Sequence, residues 1–194
     1  CPVYYPKDMQ VHNGYLYFNS YYSRKIARYN LSTKKCETVV STGSYPHAFQ
    51  IQNNILYSID RNYIKVRNLS TNTDISCSYS SHLLNYGRYA YAMTVDQSGN
   101  NMYIKRSSIT YRFQIEASKC PRTTMASNFN DGVGSSSYGM VAHPTDDRII
   151  YYSNYYSPRI EKVTLNSART GVASRVTKGR CCTGGSASDP RLYY

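Results

Sequence analysis

The chain has 194 residues, a length typical of one domain that can bury a core of its own. It carries 23 Lys and Arg against 11 Asp and Glu, for a net charge of +12, and it contains 23 Tyr but no Trp. The charge favours polyanionic partners. Because no stretch approaches the roughly 18 continuous apolar residues of a membrane span, the sequence predicts no insertion into a membrane.

Four internal repeats organise the chain, each built from short apolar runs in the same order. The first runs occupy residues 6–11, 46–51, 90–95 and 137–142. The second runs contain Tyr and occupy residues 15–18, 55–58, 102–104 and 149–152, and the third runs occupy 26–29, 64–67, 109–112 and 160–163. The period of roughly 40 to 50 residues is the one expected for a blade of a β-propeller.

Turn residues separate strand-like segments throughout each repeat. In the first repeat, strands are predicted at 9–11, 15–19, 25–29 and 37–40, with Asn13-Gly14 between the first two. Asn-Gly between apolar runs is the strongest short signal of a hairpin. The later repeats carry Asn53-Asn54, Ser98-Gly99-Asn100 and Asp146-Asp147 at the same place. No window shows sustained 3.6-residue periodicity, so we expect little helix.

These patterns predict an all-β fold, a small β-propeller of four four-stranded blades stabilised by disulfides. The blades are predicted at about residues 6–45, 46–89, 90–136 and 137–178 of a single domain spanning 1–194, with 179–194 as a closing tail. Four blades could close alone, or two protomers could complete a larger ring.

The second runs continue into a tetrapeptide pattern that resembles a known family. They read Tyr17-Phe18-Asn19-Ser20, Tyr57-Ser58-Ile59-Asp60, Tyr103-Ile104-Lys105-Arg106 and Tyr151-Tyr152-Ser153-Asn154. Together with residues 139–165 of the fourth repeat, they resemble the YWTD repeats of low-density-lipoprotein-receptor-type propellers, over about residues 6–178. The resemblance implies a β-propeller. The Trp is absent, the Asp is present only at Asp60 and that family usually builds six blades, so receptor function is not carried over.

Six cysteines, with no Cys-x-x-Cys pair, favour disulfides over a metal site. They are Cys1, Cys36, Cys77, Cys120, Cys181 and Cys182. A bridge from Cys1 to Cys181 or Cys182 would clasp the two ends of a circular fold. A chain that begins at Cys rather than Met is typical of a processed protein, and with the disulfides it predicts a secreted, extracellular protein.

Two Asn-x-Ser sequons, at Asn30 and Asn68, predict N-glycosylation and agree with secretion. They occupy equivalent positions between the third and fourth strands of the first two repeats. In a propeller blade these turns lie on the face opposite the turns between second and third strands. The sequons are therefore expected on one face, which leaves the other face open for binding.

The open face should collect the turns between second and third strands and the segments that lead into each blade. Two of these turns match, Tyr21-Tyr22-Ser23 followed by Arg24 and Lys25, and Tyr155-Tyr156-Ser157 followed by Arg159. Tyrosine rings can stack on sugars while cations hold a carboxylate or sulfate. The leading segments add Lys7, His47, Tyr91 and Tyr138 to the predicted ligand-binding residues.

Both sets of residues also have a purely structural interpretation. The Tyr-Tyr-Ser turns could be surface hairpins retained from a duplicated ancestor, and His47, Tyr91 and Tyr138 could fill the narrow channel of a small ring. Because the repeats diverge at their turns, one or two asymmetric sites are predicted rather than four equal ones.

Catalysis has little support in the sequence. It contains no nucleophile-elbow, zinc-protease or phosphate-loop motif, and His12, His47, His82 and His143 fall in dissimilar contexts. We therefore predict no catalytic residue, no metal site and no cofactor, and expect the protein not to be an enzyme.

The sequence predicts a secreted, lectin-like propeller that binds glycans or acidic glycoconjugates through a Tyr-rich basic face. The alternatives are an extracellular structural or adhesive matrix protein and a protein-binding module with extracellular partners. Propellers host unrelated functions, so the fold does not decide among them. Lys and Arg are spread over all repeats, so no specific nucleic-acid binding is expected. The many aromatic side chains leave assembly into a homo-oligomer open.

Overall fold

The computed structural model describes residues 3–43, 45–60, 63–77, 90, 92–122, 127–135, 137–154 and 159–180. The regular secondary structure of these residues is entirely β. They form no helix that is long and apolar enough to cross a membrane.

Four antiparallel sheets of four strands each make up the fold. The first sheet contains β1 (Met9–His12), β2 (Tyr15–Ser20), β3 (Lys25–Asn30) and β4 (Cys36–Ser41). The second contains β5 (Ala48–Gln52), β6 (Ile55–Ile59), β7 (Ile64–Asn68) and β8 (Thr73–Ile75). The third contains β9 (Ala92–Val95), β10 (Asn101–Arg106), β11 (Ile109–Gln114) and β12 (Ser127–Asn130). The fourth contains β13 (Ser137–Ala142), β14 (Ile149–Asn154), β15 (Arg159–Leu165) and β16 (Val172–Arg180).

Within each sheet the strands are hydrogen-bonded in chain order, as they are in the blades of a β-propeller. The predicted fold class, an all-β propeller of four four-stranded blades, is confirmed. The repeat found in the sequence is therefore a repeat of the blade.

Two-residue turns join the first two strands in the first and second sheets. Asn13 and Gly14 have φ of 46° and 76°, and Asn53 and Asn54 have φ of 51° and 59°. Positive φ at both central positions is typical of the type I′ turn, whose twist matches that of the flanking strands. Asn and Gly adopt positive φ with little strain, which explains their presence here.

The internal contacts of the chain divide it into two compact units. The first unit contains the sheets β1–β4 and β5–β8, and the second unit contains the sheets β9–β12 and β13–β16. Each unit thus pairs two consecutive blades around a hydrophobic core of its own.

The core of the first unit takes apolar side chains from both of its sheets. It comprises Tyr17, Ile26, Val39, Val40, Phe49, Ile51 and Leu56. A side-chain amide of β1 joins the sheets as well. Gln10 accepts a hydrogen bond from the backbone N–H of Ile51 (2.7 Å) and donates one to the carbonyl of the same residue (3.0 Å). The backbone of β5 is therefore satisfied by a side chain of the neighbouring blade.

The second unit buries charge as well as apolar surface. Its core comprises Ala92, Tyr103, Phe129, Val133, Met140, Ile150, Tyr152, Val163 and Leu165. Lys105 and Asp131 form an ion pair with both side chains fully buried, and the hydroxyl of Thr110 donates to the same carboxylate (2.7 Å). Burial lowers the pKa of Lys105 from its ordinary value, while the charge of Asp131 acts in the opposite sense.

A disulfide joins Cys77 to Cys120, 43 residues apart in the chain. It closes a long loop, which restricts the unfolded chain and so stabilises the folded one. Cys36 is disulfide-bonded as well. The clasp predicted between Cys1 and Cys181 or Cys182 lies outside the described residues, as does the predicted closing tail beyond residue 180.

Candidate ligand-binding site

Five aromatic rings and two cations meet at one end of the first unit. We call this group the tyrosine cluster; its members are Tyr5, Lys7, Tyr21, Tyr22, Arg24, Tyr45 and His47. Three of them belong to the turn between β2 and β3, and the other four belong to the segments that lead into β1 and β5. The cluster is therefore shared by two consecutive blades.

Backbone hydrogen bonds hold the β2–β3 turn in place. The amide of Arg24 donates to the carbonyl of Tyr21 (3.2 Å), and the carbonyl of Arg24 accepts from the amide of Thr42 (2.8 Å). Arg24 has a φ of 52°, so the chain reverses direction before β3 begins. The amide of Tyr21 also donates to the carbonyl of Tyr5 (3.4 Å), which ties the leading segment of the first blade to this turn.

Tyr21 is the centre of the ring contacts. Its ring is stacked on that of Tyr45, with the centroids 4.7 Å apart and an angle of 15° between the planes. Tyr22 and His47 approach it edge-on, with centroids 5.2 Å and 5.4 Å away. Offset stacking and edge-to-face contact are the geometries that aromatic pairs prefer, so these rings support one another.

The two cations lie against the stacked pair. Lys7 Nζ is 3.9 Å from the centroid of the Tyr21 ring, and the guanidinium carbon of Arg24 is 5.0 Å from that of Tyr45. Because Tyr45 covers one face of Tyr21, Lys7 occupies the other face. The result is a row in which two rings stand between two positive charges, each held by a cation–π contact.

Exposure differs across the cluster. His47 is buried, with 7% of its surface exposed, whereas Tyr5 and Tyr22 are 59% and 63% exposed. Tyr21, Tyr45 and Lys7 are half-buried. The cluster is therefore buried on the side of His47 and accessible at the rings of Tyr5 and Tyr22.

Lys25, another predicted residue, is the first residue of β3, where it pairs with Ser20 and Ser41. Tyr138 lies half-buried in β13 of the second unit. Arg159 begins β15, and its Nε lies 2.7 Å from a carboxylate oxygen of Glu161, which is itself buried. This ion pair gives Arg159 a structural role within its own blade.

Tyr91, Tyr155 and Tyr156 lie outside the described residues. The predicted meeting of the Tyr21-Tyr22 turn with the matching turn of the fourth repeat therefore stays a prediction. The structure brings together five of the predicted positions, Lys7, Tyr21, Tyr22, Arg24 and His47.

Sequence reasoning missed Tyr5 and Tyr45, although a signal for both was present. Each stands two residues before a predicted position, in Tyr5-Pro6-Lys7 and in Tyr45-Pro46-His47. The repeated Tyr-Pro-x tripeptide marks the segments leading into the first two blades. The backbone does not follow the usual preference for an extended residue before proline at the first of these positions, because Tyr5 has a φ of 59°, in the left-handed region.

The sequons lie at the opposite end of the strands. Asn30 and Asn68 are the last residues of β3 and β7. The side-chain oxygen of Asn30 accepts from the amides of Ser32 and Thr33, and that of Asn68 accepts from the amide of Ser70. β3 begins at Lys25, next to the cluster residue Arg24, and it ends at the sequon residue Asn30. Glycans on Asn30 and Asn68 would therefore leave the cluster accessible.

The chemistry of the tyrosine cluster suits binding. It combines aromatic faces and edges with one lysine and one arginine side chain, and its seven members include no carboxylate or thiol. Elsewhere in the described ranges, no three His, Cys, Asp or Glu side chains come together in a group that could hold a metal ion.

No family model and no curated protein matches this sequence. Solved structures match its fold. The hydrazine synthase of Kuenenia stuttgartiensis aligns with a TM-score of 0.66 and 10% identity, over 91% of this chain and 50% of that chain. A functionally unknown protein from Desulfotomaculum acetoxidans DSM 771 aligns with a TM-score of 0.67 and 16% identity, over 91% of this chain and 57% of that one.

A chain in a mitotic checkpoint complex also aligns, with a TM-score of 0.65 and 8% identity, over 91% of this chain and 54% of that chain. This chain spans about half the length of each of these proteins. At such low identity the similarity concerns the fold alone, and it agrees with the class of protein that the sheets define, a β-propeller. The resemblance to YWTD repeats stays a prediction.

Proposed function

We propose that the protein is a secreted binding module that recognises acidic glycans or glycoconjugates through the tyrosine cluster. The observation that carries this proposal is the row of Lys7, Tyr21, Tyr45 and Arg24, bordered by the exposed rings of Tyr5 and Tyr22. It offers apolar ring surface and positive charge within one patch.

The two kinds of group match the two parts of an acidic sugar. The C–H faces of a sugar ring pack on aromatic surface, and a sulfate or carboxylate accepts charge-assisted hydrogen bonds from an ammonium or guanidinium group. Because the faces of Tyr21 and Tyr45 are covered by each other and by the two cations, the exposed Tyr22 and Tyr5 rings would supply the stacking surface.

The cluster is also preorganised for binding. The ring of Tyr21 contacts Tyr22, Tyr45 and His47, so little side-chain entropy remains to be lost when a ligand arrives. Tyrosine itself presents a large amphipathic surface with few rotatable bonds. The net charge of +12 would attract a polyanion from a distance and raise the association rate.

Two features support the proposed location outside the cell. The disulfide between Cys77 and Cys120 is the kind of bond that persists in oxidising compartments. The sequons at Asn30 and Asn68 have equivalent positions and hydrogen bonds in two blades, at the end away from the cluster. We propose binding without catalysis, since the cluster offers no acid–base pair.

The test is a glycan array at physiological salt and again near 0.5 M NaCl, where the Debye length falls to several ångströms. It is followed by calorimetric titration of heparin-derived and chondroitin sulfate tetrasaccharides. We expect Lys7→Met and Tyr22→Ala each to weaken binding about tenfold, which corresponds to ~1.4 kcal/mol.

The matched control is Lys35→Met, which removes the same charge from an exposed lysine at the sequon end of the first unit. It should change the dissociation constant by less than about twofold. Equal losses in Lys7→Met and Lys35→Met would reduce the interaction to general electrostatic attraction. Absence of binding to every glycan on the array would remove the proposal.

A second candidate function is adhesion through tyrosine in an extracellular matrix. It is favoured by large exposed tyrosine side chains on the first unit: Tyr4 (61%), Tyr5 (59%), Tyr22 (63%) and Tyr63 (56%). Mass spectrometry of protein isolated from its natural source distinguishes the two. Hydroxylated or cross-linked tyrosines at these positions would favour the matrix function, and unmodified tyrosines would favour glycan binding.

A further inference from the structure

A pocket of about 210 Å³ lies in the first unit, at the end that carries the sequons. It is formed by the end of β1 and the β1–β2 turn, the β5–β6 turn, two side chains of β2, one of β3 and the segment after β7. It is smaller than the roughly 300 Å³ at which pockets for drug-sized ligands begin. The pocket therefore has room for one ring of the size of a monosaccharide.

The two hairpin turns orient a hydrogen-bonding group in its wall. Asn54 Oδ1 accepts from Asn13 Nδ2 (3.0 Å) and lies 2.6 Å from His12 Nε2. Since Oδ1 can only accept, His12 donates from Nε2, and in a neutral imidazole that tautomer has its acceptor at Nδ1. Within the described part of the chain, the amide nitrogen of Asn54 donates no hydrogen bond, so its two N–H groups remain for a ligand.

Another part of the pocket lining combines an aromatic ring with a cation whose charge is paired. The guanidinium carbon of Arg28 lies 4.3 Å from the centroid of the Tyr15 ring. Arg28 Nε pairs with Glu37 at 2.6 Å, and its Nη1 donates to the hydroxyl of Tyr17 (3.3 Å). The wall thus has the planar surface and the donors of an arginine–tyrosine pair, while its charge is balanced by Glu37.

These groups specify the chemical class of the ligand. The pocket offers donors from Asn54 and from the hydroxyl of Ser70, and an acceptor at His12. A mixed set of donors and acceptors with balanced charge matches the hydroxyl groups of a neutral sugar, each of which both donates and accepts. An anion would find only the partly neutralised Arg28.

We propose that this pocket is a second binding site, for a single neutral pyranose ring, at the opposite end of the first unit from the tyrosine cluster. It is independent of the proposed acidic-glycan site. The ring could belong to a free glycan or to a glycan attached to Asn68, because Leu69 and Ser70 of that sequon line the pocket. The chemistry recognised is the same in both cases.

The test uses unglycosylated full-length chain with its disulfides formed, labelled with ¹⁵N. The probes are the methyl glycosides of glucose, galactose, mannose and N-acetylglucosamine, added up to about 50 mM, because a single ring with few contacts should bind with a roughly millimolar dissociation constant. We expect at least one glycoside to shift the amide resonances of Asn54 and Ser70, and not those of Tyr21 and Tyr22.

Two substitutions in one turn provide the variant and its control. Asn54→Asp keeps an oxygen for His12 and Asn13 but removes both N–H donors, and it should weaken glycoside binding at least about tenfold. Asn53→Asp adds the same charge at the neighbouring turn position, which does not line the pocket, and should leave the affinity within about twofold. Lys7→Met, in the tyrosine cluster, should also leave it unchanged.

Glycosylated protein from a secretory host then identifies the source of the ring. If the glycoside binds to Asn68→Gln but not to the wild type, the glycan on Asn68 occupies the pocket. If it binds to both, the pocket takes a ring from outside. The proposal is overturned if no glycoside shifts the pocket resonances of the unglycosylated chain, or if Asn54→Asp binds as well as the wild type.

Discussion

The two units share a blade topology but place their charges differently. The ion pairs of the first unit, Arg28–Glu37 and Arg67–Asp74, are partly exposed, and Lys7 and Arg24 lie beside tyrosine rings at its surface. The second unit instead encloses the pair Lys105–Asp131 with no exposure of either side chain.

The second unit extends this pattern with a partly exposed arginine. Arg169 Nη1 lies 3.3 Å from the carboxylate of Asp96, which is fully buried. Its Nη2 lies 3.5 Å from the carboxylate of Asp147, which is partly exposed. The same four-stranded blades thus bury a cation in an ion pair in one unit and place cations against tyrosine rings at the surface of the other.

The largest effect should come from breaking the buried pair. Asp131→Asn leaves the charge of Lys105 buried without its partner, which typically costs about 3–5 kcal/mol. We expect the free energy of unfolding, measured by urea denaturation, to fall by that amount. Hydrogen exchange should accelerate in β9–β16 more than in β1–β8, because the loss is local to the second unit.

The control for this prediction is Glu116→Gln, which breaks the exposed pair Arg122–Glu116 of the same unit. Exposed pairs contribute little, so the change should stay below about 1 kcal/mol. Similar losses from both substitutions, or equal acceleration of exchange in the two units, would contradict the contrast between buried and exposed charge.

Alkaline pH should destabilise both units through buried tyrosines. Burial raises the pKa of Tyr57 to about 12 in the first unit, and it also raises the pKa of Tyr103 and Tyr152 in the second. Above pH 10 the unfolded chain ionises these residues while the folded chain does not. The contribution of these tyrosines to the free energy of unfolding is therefore fully present below about pH 10. It falls as the pH rises towards 12, by up to ~1.4 kcal/mol per pH unit for each tyrosine.

Urea denaturation between pH 9 and 12 measures this slope. Tyr57→Phe should remove the contribution of one tyrosine and flatten the dependence, whereas Tyr22→Phe, at an exposed ring, should leave it as it is. A slope that Tyr57→Phe does not change would show that Tyr57 ionises equally in the folded and unfolded chains.

The hydrogen bonds between blades should have a smaller effect. Gln10→Ala removes both bonds to Ile51, and Thr94→Val removes the acceptor for the amide of Ala142 (2.9 Å) in the second unit. A backbone group left unpaired costs about 1–3 kcal/mol. We therefore expect Gln10→Ala to lower the free energy of unfolding more than Thr94→Val does. The reverse order would show that water replaces the lost partners of Ile51.

The smallest effects should come from turn glycines. Gly14 has a φ of 76° and open space around the position of a Cβ. Gly14→Ala should therefore lower the free energy of unfolding only through backbone strain, by about 1 kcal/mol. Gly132 has a φ of 70°, and a Cβ there would lie 3.1 Å from a guanidinium nitrogen of Arg175. Gly132→Ala should therefore be the more destabilising of the two in thermal unfolding. Equal melting temperatures would mean that Arg175 moves aside without a loss of stability.

The sequence predicted five members of the tyrosine cluster but not the contacts between their rings. The Tyr-Tyr-Ser turn and the positions of Lys7 and His47 follow from the order of strands in a blade, so five members were anticipated. The stacking of Tyr21 on Tyr45 was not anticipated, because it depends on how two blades pack side by side. The pocket beside Asn54 was hidden for the same reason, since it takes residues from two turns about 40 residues apart.

The sequence by itself determined the number of blades, the strands within them and the turns between them. These features depend on local chemistry: alternating apolar residues bury one side of a strand, and Asn or Gly accepts positive φ in a tight turn. The tertiary structure alone decided which cations are buried and which remain at the surface. Lys105 meets Asp131 across 26 residues, while Lys7 lies against the rings of Tyr5 and Tyr21. Neither partner can be inferred from a residue's neighbours in the chain, because both result from the packing of whole sheets.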